Sequence, residues 1–258
     1  IMKNKIFLTC SVLLFFLFNP NLNSKGESMK IIGHRGASGY EFENSLSSFK
    51  KAIEMGVDGI ELDVYQCKTG ELIVIHDEKI NRVTNGVGYV KNFSLDELKN
   101  FDLKNGEKIS TLNEVLDLVN NKIIVDIELK GENTAEPVAE IIKDYVQNKG
   151  WSFENFIVTS FNHIELKHFN EICSKVKIGA LMDGIPIDYA KFAQDLNASF
   201  IVLSKTFINK QFIKDAHLRN LKIAVYTIND LEDFEKMKNL GVDIVITNYP
   251  DIFVYPEL

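Results

Sequence analysis

Six short β-branched runs, beginning near Ile123, Phe156, Lys177, Phe200, Lys222 and Asp243, recur through the second half of the chain. A helix-like stretch follows each of the first five, at a spacing of about 20 to 35 residues, the size of a strand–helix unit. This recurrence constrains the fold more than any other feature, because parallel strands need long crossovers and helices to cover both faces. Asn229 to Gly241 shows how one such helix is written. Asn229 is placed to cap it, Glu232 to complete a capping box, Leu231, Phe234 and Met237 share one face, and Gly241 stops it.

The N-terminal half adds two strands of the same kind, Lys30–Gly33 and Gly59–Tyr65. A helix over Ser45–Glu54 lies between them, with Asn44 as the expected cap. Eight parallel strands with interleaved helices predict a (β/α)8 barrel, α/β in class, over residues 29–258. One run breaks the alternation. Leu72–His76 follows the second strand after the link Lys68-Thr69-Gly70-Glu71, too short for a crossover, so an antiparallel hairpin strand is expected there. A turn centred on Thr69-Gly70 would set Asp63 opposite His76. The polar stretch from Glu78 to Gly106, with one short helix capped by Ser94 and Glu97, is expected to cover the mouth of the barrel.

In such a barrel the C-terminal strand ends converge on the active site. Four segments place chemistry there: His34-Arg35-Gly36-Ala37, Glu61-Leu62-Asp63, Ile75-His76-Asp77 and Asp126-Ile127-Glu128-Leu129-Lys130. Glu61 and Asp63, two apart on a strand, share a face, and Ile60, Leu62 and Val64 occupy the other. Glu128 is in phase with Asp126 and Lys130. Inward carboxylates repel unless a cation neutralises them, and all-oxygen ligation by Glu61, Asp63 and Glu128 suits one hard divalent ion, Ca²⁺ or Mg²⁺. His34 and His76 titrate near neutrality and can act as a general acid–base pair. Arg35 can hold a phosphate bidentately, and Lys130 supplies a point charge. His163, His168 and His217 are expected on solvated helix surface, and Trp151 in packing.

These residues resemble the glycerophosphodiester phosphodiesterase family, a barrel of the phospholipase C-like phosphodiesterase superfamily. The likeness takes in Glu43-Asn44-Ser45, Thr84-Asn85-Gly86, Ser160-Phe161, Tyr226-Thr227-Ile228-Asn229 and Thr247-Asn248-Tyr249-Pro250, from Lys30 to the C-terminus. It implies hydrolysis of a small glycerophosphodiester to sn-glycerol 3-phosphate and an alcohol. His34 and His76 would be the acid/base residues, Glu61, Asp63 and Glu128 the metal ligands. Arg35 and Lys130 would lie near the phosphate, with Glu43, Phe161 and Tyr226 around the substrate. The chain departs from the family pattern at Phe42 (usually Pro), Ser45 (Thr), Tyr226 (often Trp) and Asn248 (commonly Asp), none of them expected to touch the metal or acid/base set.

Two rivals stand beside this reading. A phospholipase-type enzyme acting on intact or lysolipids would carry an apolar rim; a non-catalytic binding barrel would lack a histidine or a carboxylate. The net charge of −7 argues against a nucleic-acid partner. Of three cysteines, Cys67 and Cys173 lie in the body and are expected as free thiols. Lys3 and Lys5 precede an uncharged run from Ile6 to Phe18, too short to span a bilayer but matching a signal-peptide core. Residues 1–28 are therefore expected to direct export, periplasmic or extracellular; the alternative is a cytoplasmic protein starting at Met29.

Overall fold

The computed structural model describes residues 28–254. The segment 1–28 read as a signal peptide lies, apart from Ser28, outside the described residues, as does Cys10. Nine strands form one sheet: β1 (Lys30–Gly33), β2 (Gly59–Gln66), β3 (Leu72–Val74), β4 (Ile124–Leu129), β5 (Phe156–Ser160), β6 (Lys177–Met182), β7 (Phe200–Ser204), β8 (Lys222–Tyr226) and β9 (Ile244–Thr247). All but β3 are parallel, in the order β1-β9-β8-β7-β6-β5-β4-β2, and β1 pairs β2 to close the ring. The expected (β/α)8 barrel is the observed fold.

The helices are α1 (Leu46–Glu54), α2 (Leu95–Asn100), α3 (Leu112–Val119), α4 (Ala135–Asn148), α5 (His163–Ile172), α6 (Lys191–Asp195), α7 (Lys210–Leu218), α8 (Leu231–Leu240) and α9 (Asp251–Val254). Outward-facing Leu62, Val64, Ile127, Val158, Ile201 and Val225 pack with helix residues such as Phe49, Val115, Ile142, Phe169 and Phe212 in the main core. Each such side chain contributes about 1.5–3 kcal/mol on burial. Inside the ring, Ile32, Ile157, Leu181, Phe200, Val202, Ile244 and Ile246 make a separate apolar plug. Trp151 is a packing residue as expected, stacked on Phe156 and edge-on to Tyr145. Cys67 and Cys173 are free and buried.

Several local expectations need correction. Ser45, not Asn44, caps α1, its hydroxyl accepting from Ser48 N, because Asn44 takes the left-handed conformation (φ 56) and spends its amide on Asp63. Asp230, not Asn229, caps α8, and no capping box forms with Glu232; Asn229 instead accepts from the Asn248 backbone N–H. Gly241 does end α8, at φ 86. His163 is half-buried rather than solvated, stacked on Phe192 with Nε2 2.8 Å from the Leu181 carbonyl oxygen. The helix α3, outside the expected elements, follows from a Thr111/Glu114 capping box and a Leu112, Val115, Leu116, Val119 stripe.

The antiparallel hairpin is present, but one residue out of the expected register. Gln66 pairs Leu72, Tyr65 pairs Ile73 and Val64 pairs Val74, so the turn centres on Thr69. Cys67 N–H bonds the Glu71 carbonyl at 2.9 Å, leaving a three-residue loop in which Gly70 has φ 104. Such loops favour a glycine in the left-handed region. Ile75, not His76, therefore faces Asp63, its N–H bonded to Asp63 O at 3.0 Å. Because β3 ends at Val74, His76 escapes the alternation and turns to the mouth on its own.

The stretch from Glu78 to Gly106 lines no part of the cavity at the strand ends and reaches its rim through Arg82. It flanks the hairpin, burying Ile80, Val83, Val90, Leu98 and Leu103 with Ile73 and Ile75 in a second apolar cluster. The Ser94/Glu97 capping box is formed.

Candidate active site

The register of β2 on β4 brings the carboxylates together: Glu61 pairs Asp126, and Asp63 pairs Glu128. One oxygen each from Glu61, Asp63 and Glu128 lies within 4.8 Å of the others. All three residues are buried, and so is Asp126, which stands beside Glu61 two residues before Glu128. Burial raises Glu61 well above the ordinary carboxylate range, and the Asp63 and Glu128 charges add to it. Glu128 is pushed to about 8 by burial and by Asp63, against the pull of Lys130. Asp126 is pushed to about 7 by burial, eased by a 3.0 Å hydrogen bond from Thr159 Oγ1. Asp63 Oδ1 is buried with no hydrogen-bond donor. An oxygen left without a donor, beside two carboxylates that burial holds against ionisation, is what a cation site requires. The all-oxygen donor set fits a hard divalent ion.

The β1–α1 loop supplies the next groups. Arg35 (φ 52) and Gly36 (φ 83) are consecutive left-handed residues. At Gly36 a Cβ would lie 2.4 Å from Ser48 Oγ and 2.6 Å from Ser48 C, so only glycine lets the loop press on α1. The turn aims the Arg35 N–H at Glu61 Oε2, 2.9 Å away. The guanidinium lies between Glu43 (Nη1–Oε1, 3.0 Å) and Asp63 (Nε–Oδ2, 3.5 Å). Asp63 Oδ2 also accepts from Asn44 Nδ2 at 2.8 Å.

The two histidines reach this cluster from opposite neighbours. His34 Nδ1 lies 2.7 Å from Asn248 Oδ1, which also accepts from Ser38 Oγ at 3.0 Å. Asn248 thus touches the proposed acid/base pair, contrary to expectation. Burial lowers His34 to about 4, and the Arg35 charge reinforces this. His76 Nδ1 lies 2.7 Å from Asp77 Oδ1, and its Nε2 lies 3.4 Å from Lys130 Nζ. Lys130 also reaches Glu128 Oε1 at 3.0 Å. Arg82 ties the rim together, donating to both Glu43 oxygens and to Asp77. Burial pushes the Glu43 carboxyl up, but the bonds from Arg82 and the charge of Arg35 bring it below its usual range.

A cavity of about 220 Å³ opens among these groups, lined by His34, Arg35, Glu61, His76, Glu128 and Lys130. Phe161 and Tyr226 close its far side; Lys130 Nζ is 5.8 Å from the Phe161 ring centre, and Tyr226 Oη donates to Asp183 Oδ1 at 2.8 Å. Every residue expected at the site lines this cavity except Asp63 and Glu43, which stand directly behind Arg35. A larger cavity of about 770 Å³ opens at the other end of the barrel, beside Lys30, Ile124, Phe200 and Ile244, and holds none of this chemistry. Asp77, Arg82 and Asp183 join the site without a role expected from the sequence, and Asn44 joins it where only a helix cap was expected. Asp77 and Asn44 were signalled by adjacency to site residues; Arg82, in a polar stretch, carried no signal.

The sequence model of the glycerophosphoryl diester phosphodiesterase family matches residues 34–252. A glycerophosphodiester phosphodiesterase of Caldanaerobacter subterraneus subsp. tengcongensis is 36% identical over 238 residues, covering 87% of this chain and 96% of the relative. An Oleispira antarctica phosphodiesterase, solved in complex with the product sn-glycerol-3-phosphate, superposes with a TM-score of 0.79 at 26% identity, covering 86% and 94% of the two chains. The Thermotoga maritima glycerophosphodiester phosphodiesterase superposes with a TM-score of 0.75 at 29% identity, covering 90% and 99%. On its barrel, its strand-end motifs and these matches, the chain belongs to the glycerophosphoryl diester phosphodiesterase family.

Proposed function

We propose that this protein hydrolyses glycerophosphodiesters to sn-glycerol 3-phosphate and an alcohol, with His34 and His76 as acid/base pair and one divalent cation on Glu61, Asp63 and Glu128. The observation that carries this reading is the convergence of two imidazoles, three buried carboxylates, Arg35 and Lys130 on one small cavity. The relative that holds sn-glycerol-3-phosphate as product supports the substrate class. A bound Ca²⁺ or Mg²⁺ would supply Lewis-acid stabilisation of the charge that builds on the phosphate. Arg35 and Lys130 orient the phosphate from two sides. One histidine takes the proton of the nucleophile, and the other gives one to the departing alcohol oxygen. Glu43 braces Arg35, and Phe161 and Tyr226 wall the cavity on the substrate's outer side. The test is glycerol 3-phosphate release from glycerophosphocholine with EDTA, Ca²⁺ and Mg²⁺ compared. Loss of release in EDTA and recovery with one ion is expected.

A second reading keeps the chemistry and changes the substrate. Phe161 and Ile164, after β5, and Ile185 and Ile187, after β6, are exposed, Ile187 completely. All four follow C-terminal strand ends, on the side of the mouth where Phe161 lines the cavity. An apolar rim of this kind favours a lysophospholipid, whose acyl chain it would meet. Turnover of lysophosphatidylcholine that rises sharply above its micelle concentration would support this reading. We further propose export directed by residues 1–28; finding the protein in the culture supernatant or periplasm, cleaved before Met29, would bear this out.

A further inference from the structure

Arg82 ends a helical turn (Ile80–Arg82) in the stretch that follows β3. Each of its three side-chain nitrogens is engaged. Nη1 and Nη2 grip the two Glu43 oxygens at 2.7 Å each, and Nε donates to Asp77 Oδ2 at 2.6 Å. Each carboxylate holds a different site residue with its other contacts: Glu43 Oε1 accepts from Arg35 Nη1 at 3.0 Å, and Asp77 Oδ1 meets His76 Nδ1 at 2.7 Å. Glu43 and Arg35 come from the β1–α1 loop, whereas His76 and Asp77 follow β3. Arg82 joins the two segments by side-chain hydrogen bonds.

Resting on the acid/base reading above, we propose that Arg82 is a positioning residue for the reaction. Its guanidinium fixes the His76 imidazole through Asp77 and the Arg35 guanidinium through Glu43. The ordinary account of a half-exposed arginine is a surface ion pair worth about 0–1 kcal/mol. Three features set Arg82 apart. The grip on Glu43 is bidentate, which fixes direction as well as distance. The turn that carries it is anchored by fully buried Ile80 and by Val83 in the second apolar cluster. Both carboxylates are already committed to residues of the site.

The tautomer of His76 follows from the same network. A lysine ammonium can only donate, so the His76 Nε2 that faces Lys130 accepts, and the ring proton lies on Nδ1, donated to Asp77. Asp77 is the stronger acceptor while ionised, and the hydrogen bond from Arg82 holds its carboxyl down to about 2. Removing Arg82 would leave Asp77 free to swing and His76 without a set orientation. It would also free Glu43, and with it the phosphate-facing Arg35.

The test compares Arg82→Ala, Arg82→Lys, Asp77→Asn and the Arg82→Ala/Asp77→Asn pair, as metal-loaded full-length enzyme on glycerophosphocholine, with His76→Ala in parallel. The network predicts a kcat loss of about 10- to 100-fold in Arg82→Ala, the usual scale for a supporting partner. KM should rise several-fold as Arg35 loosens. Asp77→Asn should reproduce the kcat loss without the KM rise, and the double variant should lose much less kcat than the product of the singles. Arg82→Lys should stay impaired, since one ammonium cannot bridge two carboxylates in this geometry, while ethylguanidinium should restore Arg82→Ala in part. In ¹⁵N NMR the wild-type His76 should show the Nδ1–H form, and Arg82→Ala a mixture. If Arg82→Ala is less stable, melting curves and the guanidinium rescue separate misfolding from mispositioning. A kcat within twofold of wild type, or kcat losses that simply multiply with Asp77→Asn, would overturn the proposal. An active His76→Ala would instead overturn the acid/base reading beneath it.

Discussion

His34 donates from Nδ1 to the side-chain oxygen of Asn248, 2.7 Å away. A neutral amide orients the ring but offers no counter-charge, and His34 lies near 4, lowered by burial and by Arg35. The unfolded value is about 6.5. Between the two the unfolded chain binds more protons, so His34's contribution to stability is present above about 6.5 and is lost as pH falls toward 4. Asn248→Asp should raise the folded value and narrow that window. An NMR titration of the His34 ring in both proteins checks this, and equal midpoints would refute it.

Replacing either imidazole should stop turnover without unfolding the barrel. His34→Ala and His76→Ala are each expected to lower kcat by at least about a hundredfold, with little change in KM. Near wild-type turnover in one variant would remove that residue from the reaction.

The carboxylates test the cation. Glu61, Asp63 and Glu128 bring three buried acids within 4.8 Å, and the phosphodiester adds another negative charge. Glu61→Gln and Asp63→Asn should each abolish both activity and tight ion binding, while wild type gains thermal stability as Ca²⁺ or Mg²⁺ is added. Calorimetric titration of the metal-stripped proteins is the measurement. Full activity in EDTA with no ion binding would assign the acids another role.

Gly36 tests the loop that aims Arg35. Alanine there would hold φ 83 against its preference and drive Cβ into Ser48. A loss of about 2–4 kcal/mol follows from left-handed strain plus overpacking. Urea denaturation reads it directly, and an unchanged midpoint would mean that the loop relaxes without cost.

What could be read from the sequence was whatever obeys a local period. Glu61 and Asp63, and Glu128 with Lys130, declare themselves because alternate strand residues share a face. The strand–helix repeat declares the barrel for the same reason. Asn44 misleads because Asn before a helix is ordinarily a cap, and only the folded barrel brings Asp63 within 2.8 Å of its amide. Asn248 looked remote from the acid/base pair because it stands 214 residues from His34 in sequence. Arg82 was invisible for a related reason: its partner Glu43 lies 39 residues away, and the turn that presents it depends on a cluster that only the tertiary fold assembles.

The three-residue loop of the hairpin has a consequence for insertions and deletions. Surface turns usually tolerate them, because nothing downstream depends on the count. Here the count of residues from Cys67 to Glu71 decides which residue meets Asp63, and so the point at which the chain leaves β3 and releases His76. Deleting Lys68 or adding one glycine beside Gly70 would slip β3 by one position, turn Ile73 and Ile75 out of their apolar cluster and rotate the imidazole away from the cavity. Its length, together with the left-handed glycine at position 70 (φ 104), is therefore what this exposed turn must keep for His76 to face the cavity.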